Sequence, residues 1–394
     1  MTEWQTVRLG EIVKTNQSTY SPKENWQFVN YLDTGNITMN KIDEIQNINT
    51  AKDKLPSRAR RKVKTNSIIY STVRPNQLHY GIIKKQPDNF LVSTGFTVID
   101  VNYDKAVPDF IYYALTKQEV TEQLQAIAEQ SVSAYPSLKP SDIENLELML
   151  PDKKTQERIV AILRSIDEKI KENNAINNNL EQQAQAIFAN EFLSLDTLPE
   201  GWKQASLIDI ADYLNGLAMQ KYRPTADESG IPVLKIKELR QGCCDDNSEL
   251  CSPSIKSDYI IHDGDVIFSW SGSLLVDLWC GGICGLNQHL FKVTSSKYDK
   301  WFYYAWTKHH LDRFVAVAAD KATTMGHIKR DELAKAEVLI PNEADYNRIG
   351  ALLQPIYEMI ISNRIENKKL AATRDTLLPK LMNGEIDMSE VDYE

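Results

Sequence analysis

The sequence predicts an α+β protein made of two similar globular domains, each followed by a long helix. Three observations carry this. Residues 151 to about 192 return as 341 to about 383, with Pro151 recurring as Pro341, an offset of 190 (341 − 151). In both copies apolar residues recur at alternating four- and three-residue steps, the spacing of a coiled-coil seam. The residues ahead of each copy share short motifs in the same order, so the repeat extends to the globular parts.

In chain order, residues 1–150 form the first domain. It opens on Trp4-Gln-Thr-Val-Arg-Leu-Gly-Glu-Ile, which resembles Trp202-Lys-Gln-Ala-Ser-Leu-Ile-Asp-Ile of the second domain. Short runs rich in β-branched and aromatic residues, bounded by Gly, Asn, Asp or Pro, predict strands over 26–31, 67–71, 91–101 and 146–150. Their counterparts fall at 231–236, 265–269, 288–293 and 336–340. Amphipathic helices are predicted over 109–123 and 300–314, around Phe110-Ile-Tyr-Tyr-Ala-Leu-Thr-Lys and Trp301-Phe-Tyr-Tyr-Ala-Trp-Thr-Lys. Tyr112, Tyr113, Tyr303 and Tyr304 read as packing residues of these helices rather than as a base-stacking platform.

Residues 151–198 hold the first spacer helix and a linker that ends in Leu198-Pro-Glu-Gly-Trp202, with the Pro and Gly expected of a turn. Residues 199–340 form the second domain, and 341–394 the second helix and a tail. Thr155 and Asp345 stand at the expected N-caps, where a side-chain oxygen takes an orphan first-turn N–H. The first seam runs Ile159, Leu163, Ile166, Ile170, Asn173, Asn177 and Leu180. The second runs Ile349, Leu353, Ile356, Ile360, Asn363, Asn367 and Leu370. Both carry two Asn at matched positions. Buried Asn costs stability but penalises wrong registers, so the helices are expected to pack on each other. Pro355 stands where the first helix has Ser165. It removes a backbone hydrogen bond and predicts a local kink or break.

At 394 residues and 42% hydrophobic content the chain suits a globular protein of two or three domains. No apolar run reaches membrane-spanning length, and Met1-Thr-Glu-Trp does not read as a signal peptide. All five cysteines (Cys243, Cys244, Cys251, Cys280, Cys284) fall in one quarter of the chain without framework spacing, which points to a reducing, cytoplasmic setting. A zinc site with His262 or His289 has poor ligand spacing, and no metal is expected. The net charge of −9 argues against a nucleic-acid partner until its distribution is considered. From Lys54 to Pro87 there are nine basic residues (Lys54, Arg58, Arg60, Arg61, Lys62, Lys64, Arg74, Lys84, Lys85) and no acidic one. Phosphate contact accounts for such a run better than a solvated face does.

These features together resemble the specificity (S) subunits of Type I DNA restriction-modification systems. The resemblance covers the whole chain. It rests on the tandem domain–helix repeat, Leu198-Pro-Glu-Gly-Trp202, Gly264-Asp-Val-Ile-Phe-Ser, Gly285-Leu-Asn-Gln-His-Leu-Phe-Lys-Val, the helix starts after Pro151 and Pro341, and Leu377-Leu-Pro-Lys-Leu-Met-Asn-Gly-Glu-Ile-Asp. It implies two target-recognition domains, each reading one half of a bipartite asymmetric site in double-stranded DNA. It also implies that the helices form an antiparallel coiled coil between them, with pseudo-twofold symmetry. Two methyltransferase (M) subunits would dock on that scaffold, and restriction/translocase (R) subunits would join. S-adenosylmethionine, ATP and Mg2+ are then expected on the partner subunits and no cofactor on this chain. Adenine as the methylated base is a family expectation.

For DNA contact in the first domain, Arg58, Arg60, Arg61, Lys62 and Lys64 are assigned to phosphates. Arg74 and Asn76, in Ser71-Thr-Val-Arg-Pro-Asn76, are assigned to a base edge or an inserted loop, because Arg can bridge guanine O6 and N7 and Asn can pair with adenine. Tyr135 and Lys139 lie in a polar loop before the return strand; Lys321 and Lys329 lie in its counterpart. In the second domain Trp270, Ser271 and Ser273 take the place of the Thr72–Asn76 loop. Lys235, Lys237 and Arg240 are spaced as a basic strand face. His289 reads as a structural histidine. No Gly-rich phosphate loop and no Asn-Pro-Pro-Tyr or Asp-Pro-Pro-Tyr run occurs, so no catalytic residue is expected. The competing readings are an enzyme with an unrecognised site and an interaction scaffold that does not touch DNA.

Overall fold

The computed structural model describes residues 4–131, 136–320, 328 and 330–388. The chain divides into two compact units. Unit 1 takes residues 1–167 and 372–394; unit 2 takes 168–371.

The two units repeat one another strand for strand. In unit 1 an antiparallel sheet runs in the order Val13–Thr15, Phe96–Val101, Ile68–Ser71, Tyr80–Ile82. Its counterpart in unit 2 runs Asp212–Asn215, Leu290–Thr294, Val266–Ser269, Leu275–Leu278. A second sheet is mixed: Gln46–Asn49, Phe28–Leu32, Phe90–Ser93, Ala59–Lys62, with the central pair parallel. Unit 2 matches it with Leu250–Cys251, Ile231–Leu234, Cys284–Leu286, Ile260–Ile261, again parallel at the centre. A third ladder joins Gln5–Arg8 to Glu147–Leu150 and, in unit 2, Lys203–Ser206 to Glu337–Ile340.

The strand that organises each unit is an unbroken apolar run, Ile68-Ile-Tyr-Ser71 or Val266-Ile-Phe-Ser269, buried on both faces. Side chains alternate across a strand. Ile68 and Tyr70 therefore pack under the helices around Phe110 and Leu115, while Ile69 points to a second core with Leu32 and Val92. Val266 and Phe268 face the helix side of unit 2, and Ile267 the core of Trp279 and Leu286. The predicted strand 91–101 is two strands, because Thr94-Gly95 turns the chain from one sheet into the other. Each predicted helix is likewise a pair: Pro108–Leu115 with Gln118–Glu129, and Lys300–His309 with Leu311–Asp320. All four tyrosines of the repeated motif are buried packing residues.

Both long helices form, over Lys153–Phe188 and Glu343–Met382. They start three residues earlier than caps at Thr155 and Asp345 imply. The caps are Asp152, whose carboxylate accepts from Thr155 N (3.0 Å), and Asn342, whose Oδ1 accepts from Asp345 N (2.9 Å). Of the local kink or break expected at Pro355, the break does not occur; the helix runs unbroken through it. Pro355 and Ala351, whose carbonyl loses its donor, both face solvent, while Leu353, Tyr357 and Ile360 lock the same turns into the core of unit 2. Packing on one side outweighs one lost hydrogen bond on the other.

The seam positions are divided between the units. In unit 1, Ile159 and Leu163 enter the domain core together with Leu381, Met382 and Met388. In unit 2, Ala184, Phe188 and Phe192 pack with Ile349, Leu353, Tyr357 and Ile360. Also in unit 2, Asn173 donates to Asn367 Oδ1 (2.9 Å) and Glu366 (2.7 Å), and Asn363 donates to Asn177 Oδ1 (2.9 Å). Asn177 donates to the Ile360 carbonyl (3.4 Å). Partner numbers fall as those of the first helix rise, so the two helices run antiparallel there. Asn173 and Asn177 are buried, which is why all their amide groups need partners.

Candidate nucleic-acid interface

The loop that follows the organising strand is tied down in the same way in both units. In unit 1, Ser71 Oγ donates to the Val73 carbonyl (2.9 Å), Thr72 N to Gly95 O (2.8 Å), and Leu138 N to Thr72 O (2.7 Å). In unit 2, Ser269 Oγ donates to Ser271 O (3.2 Å), Trp270 N to His289 O (3.4 Å), and Ile328 N to Trp270 O (3.0 Å). Ser71 therefore corresponds to Ser269, Thr72 to Trp270 and Arg74 to Gly272. The tips differ in chemistry. Unit 1 exposes Arg74, Asn76 and Gln77 around the turn Pro75–Gln77. Unit 2 exposes Gly272 and Ser273, with Ser271 buried beneath them. Trp270 is half-buried: its ring stacks on Phe291 (5.6 Å) and its Nε1 donates to Asn215 Oδ1 (2.9 Å).

The basic stretch of unit 1 builds the edge strand Ala59–Lys62. Arg58 and Lys64 flank it and are exposed; Arg60, Arg61 and Lys62 are half-buried. The structure does not leave all five equally open to phosphate. Lys62 lies over the Trp26 ring (5.1 Å) and pairs with Glu24, whose carboxyl it holds below the usual range. Lys64 pairs with Asp100 at 3.5 Å. Among the described residues the buried Nε of Arg61 has no hydrogen-bond partner, and burial lowers its pKa. Arg58 and Arg60 remain the better-placed cations on this face.

In unit 2 the strand reading of Lys235, Lys237 and Arg240 is corrected. The strand ends at Leu234, and Ile236–Gln241 is a short helix. Ile236 and Leu239 are one helical turn apart and pack on one side, and Gly242 ends the helix with φ +78°. Lys235 pairs with Glu249, and Lys237 with Asp245 at 3.1 Å, while Arg240 is exposed. Lys139 is exposed at the start of the helix Pro140–Glu144, with its N–H on Asp142 (2.7 Å). Tyr135, Lys321 and Lys329 lie outside the described residues.

The topology also shows what residue matching missed. The counterpart of the basic strand Ala59–Lys62 is Ile260–Ile261, which is apolar, and the nearest cation on its approach is exposed Lys256. No shared residue type links the two strands, so only the strand order could reveal the equivalence. Gln125 was missed too: its side chain accepts from Asn76 N (3.2 Å) and so holds the tip of the unit 1 loop.

All five cysteines are free thiols. Among the described residues no group of three or more His, Cys, Asp or Glu could hold a metal ion. No helix among them is long and apolar enough to cross a membrane.

Two copies of one α+β module, with unlike loops at the same place and a share of two long helices in each, define a protein of bipartite organisation. The family model for the Type I restriction modification DNA specificity domain matches residues 1–182 and again 199–372. The chain belongs to this family and is a specificity subunit of a Type I restriction-modification system. It is 24% identical to the HindI Type I restriction enzyme specificity subunit of Haemophilus influenzae, over 98% of this chain and 100% of that one. It is 26% identical to the MjaIX specificity subunit of Methanocaldococcus jannaschii, over 79% of this chain and 76% of that one. The solved Type-I restriction-modification S subunit from M. genitalium shares the fold, with a TM-score of 0.57 at 15% identity, covering 98% of this chain and 97% of that one.

Proposed function

We propose that each globular domain reads one half of a bipartite, asymmetric site in double-stranded DNA. In this reading residues 1–150 and 199–340 are the two target-recognition domains. Residues 151–198 and 341–394 supply the helices of an antiparallel, pseudo-twofold coiled coil that sets the gap and docks two methyltransferase subunits. The observation that carries it is a strand-for-strand repeat whose loops differ in chemistry. A shared scaffold suits the twofold relation of the DNA backbones, and unlike loops suit unlike half-sites. The first helix, 36 residues, is about 54 Å long at 1.5 Å per residue, against about 34–36 Å for one turn of DNA.

Arg58, Arg60, Arg61, Lys62, Lys64 and Lys139 hold phosphates in this reading, with Arg240 and Lys256 in the second domain. Arg74, Asn76, Trp270 and Ser273 meet base edges or groove walls. Chemistry belongs to the partners: the methyltransferase subunits hold S-adenosylmethionine, restriction subunits bring ATP and Mg2+, and this chain works in the cytoplasm without a catalytic group or metal. Mapping methylated positions in the host genome with and without this gene tests the reading. Loss of one split motif, both halves together, is the expected result; an unchanged methylome overturns it.

A further inference from the structure

We propose that Arg74 is a specificity-determining residue that reads a guanine in the half-site taken by unit 1, and that the matching position of unit 2, Gly272, makes no such contact. This rests on the half-site reading above and adds the base and the asymmetry.

The argument starts from backbone conformation. Arg74 and its counterpart Gly272 both have left-handed φ, +49° and +67°. Glycine adopts that region freely, whereas a residue with a Cβ is strained there. In unit 2 every described residue with positive φ is glycine. In unit 1 five of the non-glycine cases are Asn (Asn16, Asn25, Asn40, Asn66, Asn89), which tolerates the region. The other three are Met39, Arg74 and Leu78, and they converge on one loop: Leu78 closes the turn that Arg74 opens, and Met39 N donates to Leu78 O (2.9 Å). Strain gathered at one exposed loop is a mark of use rather than of packing.

The described packing around Gly272 does not force a glycine there. Among the described residues, a Cβ added at Gly272 would meet only Ile236 Cδ1, at 3.7 Å. Unit 2 takes the unstrained residue although nothing described around it requires one, and unit 1 takes a strained arginine whose side chain is exposed. The loop is also fixed in place, by Arg74 N on Pro136 O (3.1 Å) and by Gln125 on Asn76 N (3.2 Å). Arginine carries a planar fork of N–H donors that matches the O6 and N7 acceptors of guanine in the major groove, and here its backbone is fixed at an exposed tip. Gln125 is the positioning residue behind it.

The test uses the full chain with its methyltransferase partner, in the host. Arg74→Gly should leave the thermal midpoint unchanged or raised, because unit 2 shows that glycine suits this turn. The methylome should then become degenerate at one G·C pair of one half-motif, with discrimination there falling roughly 10- to 100-fold and the other half-motif unchanged. Arg74→Lys keeps the charge without the bidentate fork and should give the same degeneracy. An unaltered motif overturns the proposal. So does an even loss at all sites that Arg74→Lys restores, which would make Arg74 a phosphate contact, and so does a fall in thermal midpoint, which would make the arginine structural. If the wild-type chain directs no split motif at all, the half-site reading itself has failed, a result seen before any variant is made.

Discussion

The paired asparagines of unit 2 permit a double-mutant cycle whose outcome can be worked from the hydrogen bonds. Asn177 Oδ1 accepts from Asn363 Nδ2 at 2.9 Å, and Asn177 Nδ2 donates to the Ile360 carbonyl at 3.4 Å. Asn177→Leu strands the Asn363 amide in a half-buried position. An unpaired buried donor costs about 1–3 kcal/mol, and the new apolar contact recovers part of it, leaving a net loss of about 1–2 kcal/mol. Asn363→Leu strands the Asn177 carbonyl with a similar loss. The double variant strands neither and adds two apolar side chains to the seam, so it should be neutral or stabilised by about 1 kcal/mol. The coupling is then about 2–5 kcal/mol, far above the few tenths expected of independent sites. Urea unfolding of the full chain, with amide exchange over residues 168–188 to isolate unit 2, measures it. If the double variant loses the sum of the two single losses, the asparagines are not acting as a pair. Replacing Asn173, Asn177, Asn363 and Asn367 together by Leu gives a second readout. Stability should rise while methylated half-motifs appear at more than one gap, because register is what the polar pairs enforce.

Two smaller effects are expected. Pro355→Ala restores a donor to the Ala351 carbonyl at a solvent-facing turn and should stabilise the helix by about 1–3 kcal/mol, read as a raised thermal midpoint; a lowered midpoint would show that the proline ring is needed. His310 is buried, with Nε2 2.8 Å from the Glu337 carbonyl, and burial lowers its pKa below the ordinary 6.5. The unfolded chain therefore takes up the proton first as pH falls. The stability held at higher pH drains away below about pH 6.5, down through the folded-state value. His310→Gln should flatten that slope in thermal melts between pH 8 and 5, and an unchanged slope would assign it to other groups.

The repeat, the central strands and the long helices were legible because each is set by local pattern. An unbroken apolar run buried on both faces, as at Ile68–Ser71 and Val266–Ser269, announces itself. The strands Gln5–Arg8 and Lys203–Ser206 did not, because they are mostly polar and exposed and exist only through partners more than 130 residues away. Thr155 and Asp345 passed for caps because they too are cap formers, one turn inside the true ones, Asp152 and Asn342. The basic stretch showed its charge in the sequence but not the carboxylates brought to it: Glu24 and Asp100 reach Lys62 and Lys64 through the sheet. Lys235–Arg240 failed for a different reason. Ile236 and Leu239 fit a helix as well as the charges fit a strand, and Gly242 decided between them. The strain at Arg74 had no sequence signal, since only comparison of two backbones sets an arginine beside a glycine.

Unit 1 is built from both ends of the chain, and this has a consequence in time. Its core needs Leu381, Met382 and Met388, and Arg158 Nη1 donates to the Met388 carbonyl across 230 residues of sequence. A ribosome must therefore make residues 168–371, all of unit 2, before the first unit can close. At about 5–20 residues per second that delay is on the order of 10–40 s. During it Ile159 and Leu163 wait without the side chains that cover them. The half of the protein made first is the half finished last, so a nascent chain stalled within unit 2 carries an open apolar seam that only the tail can seal.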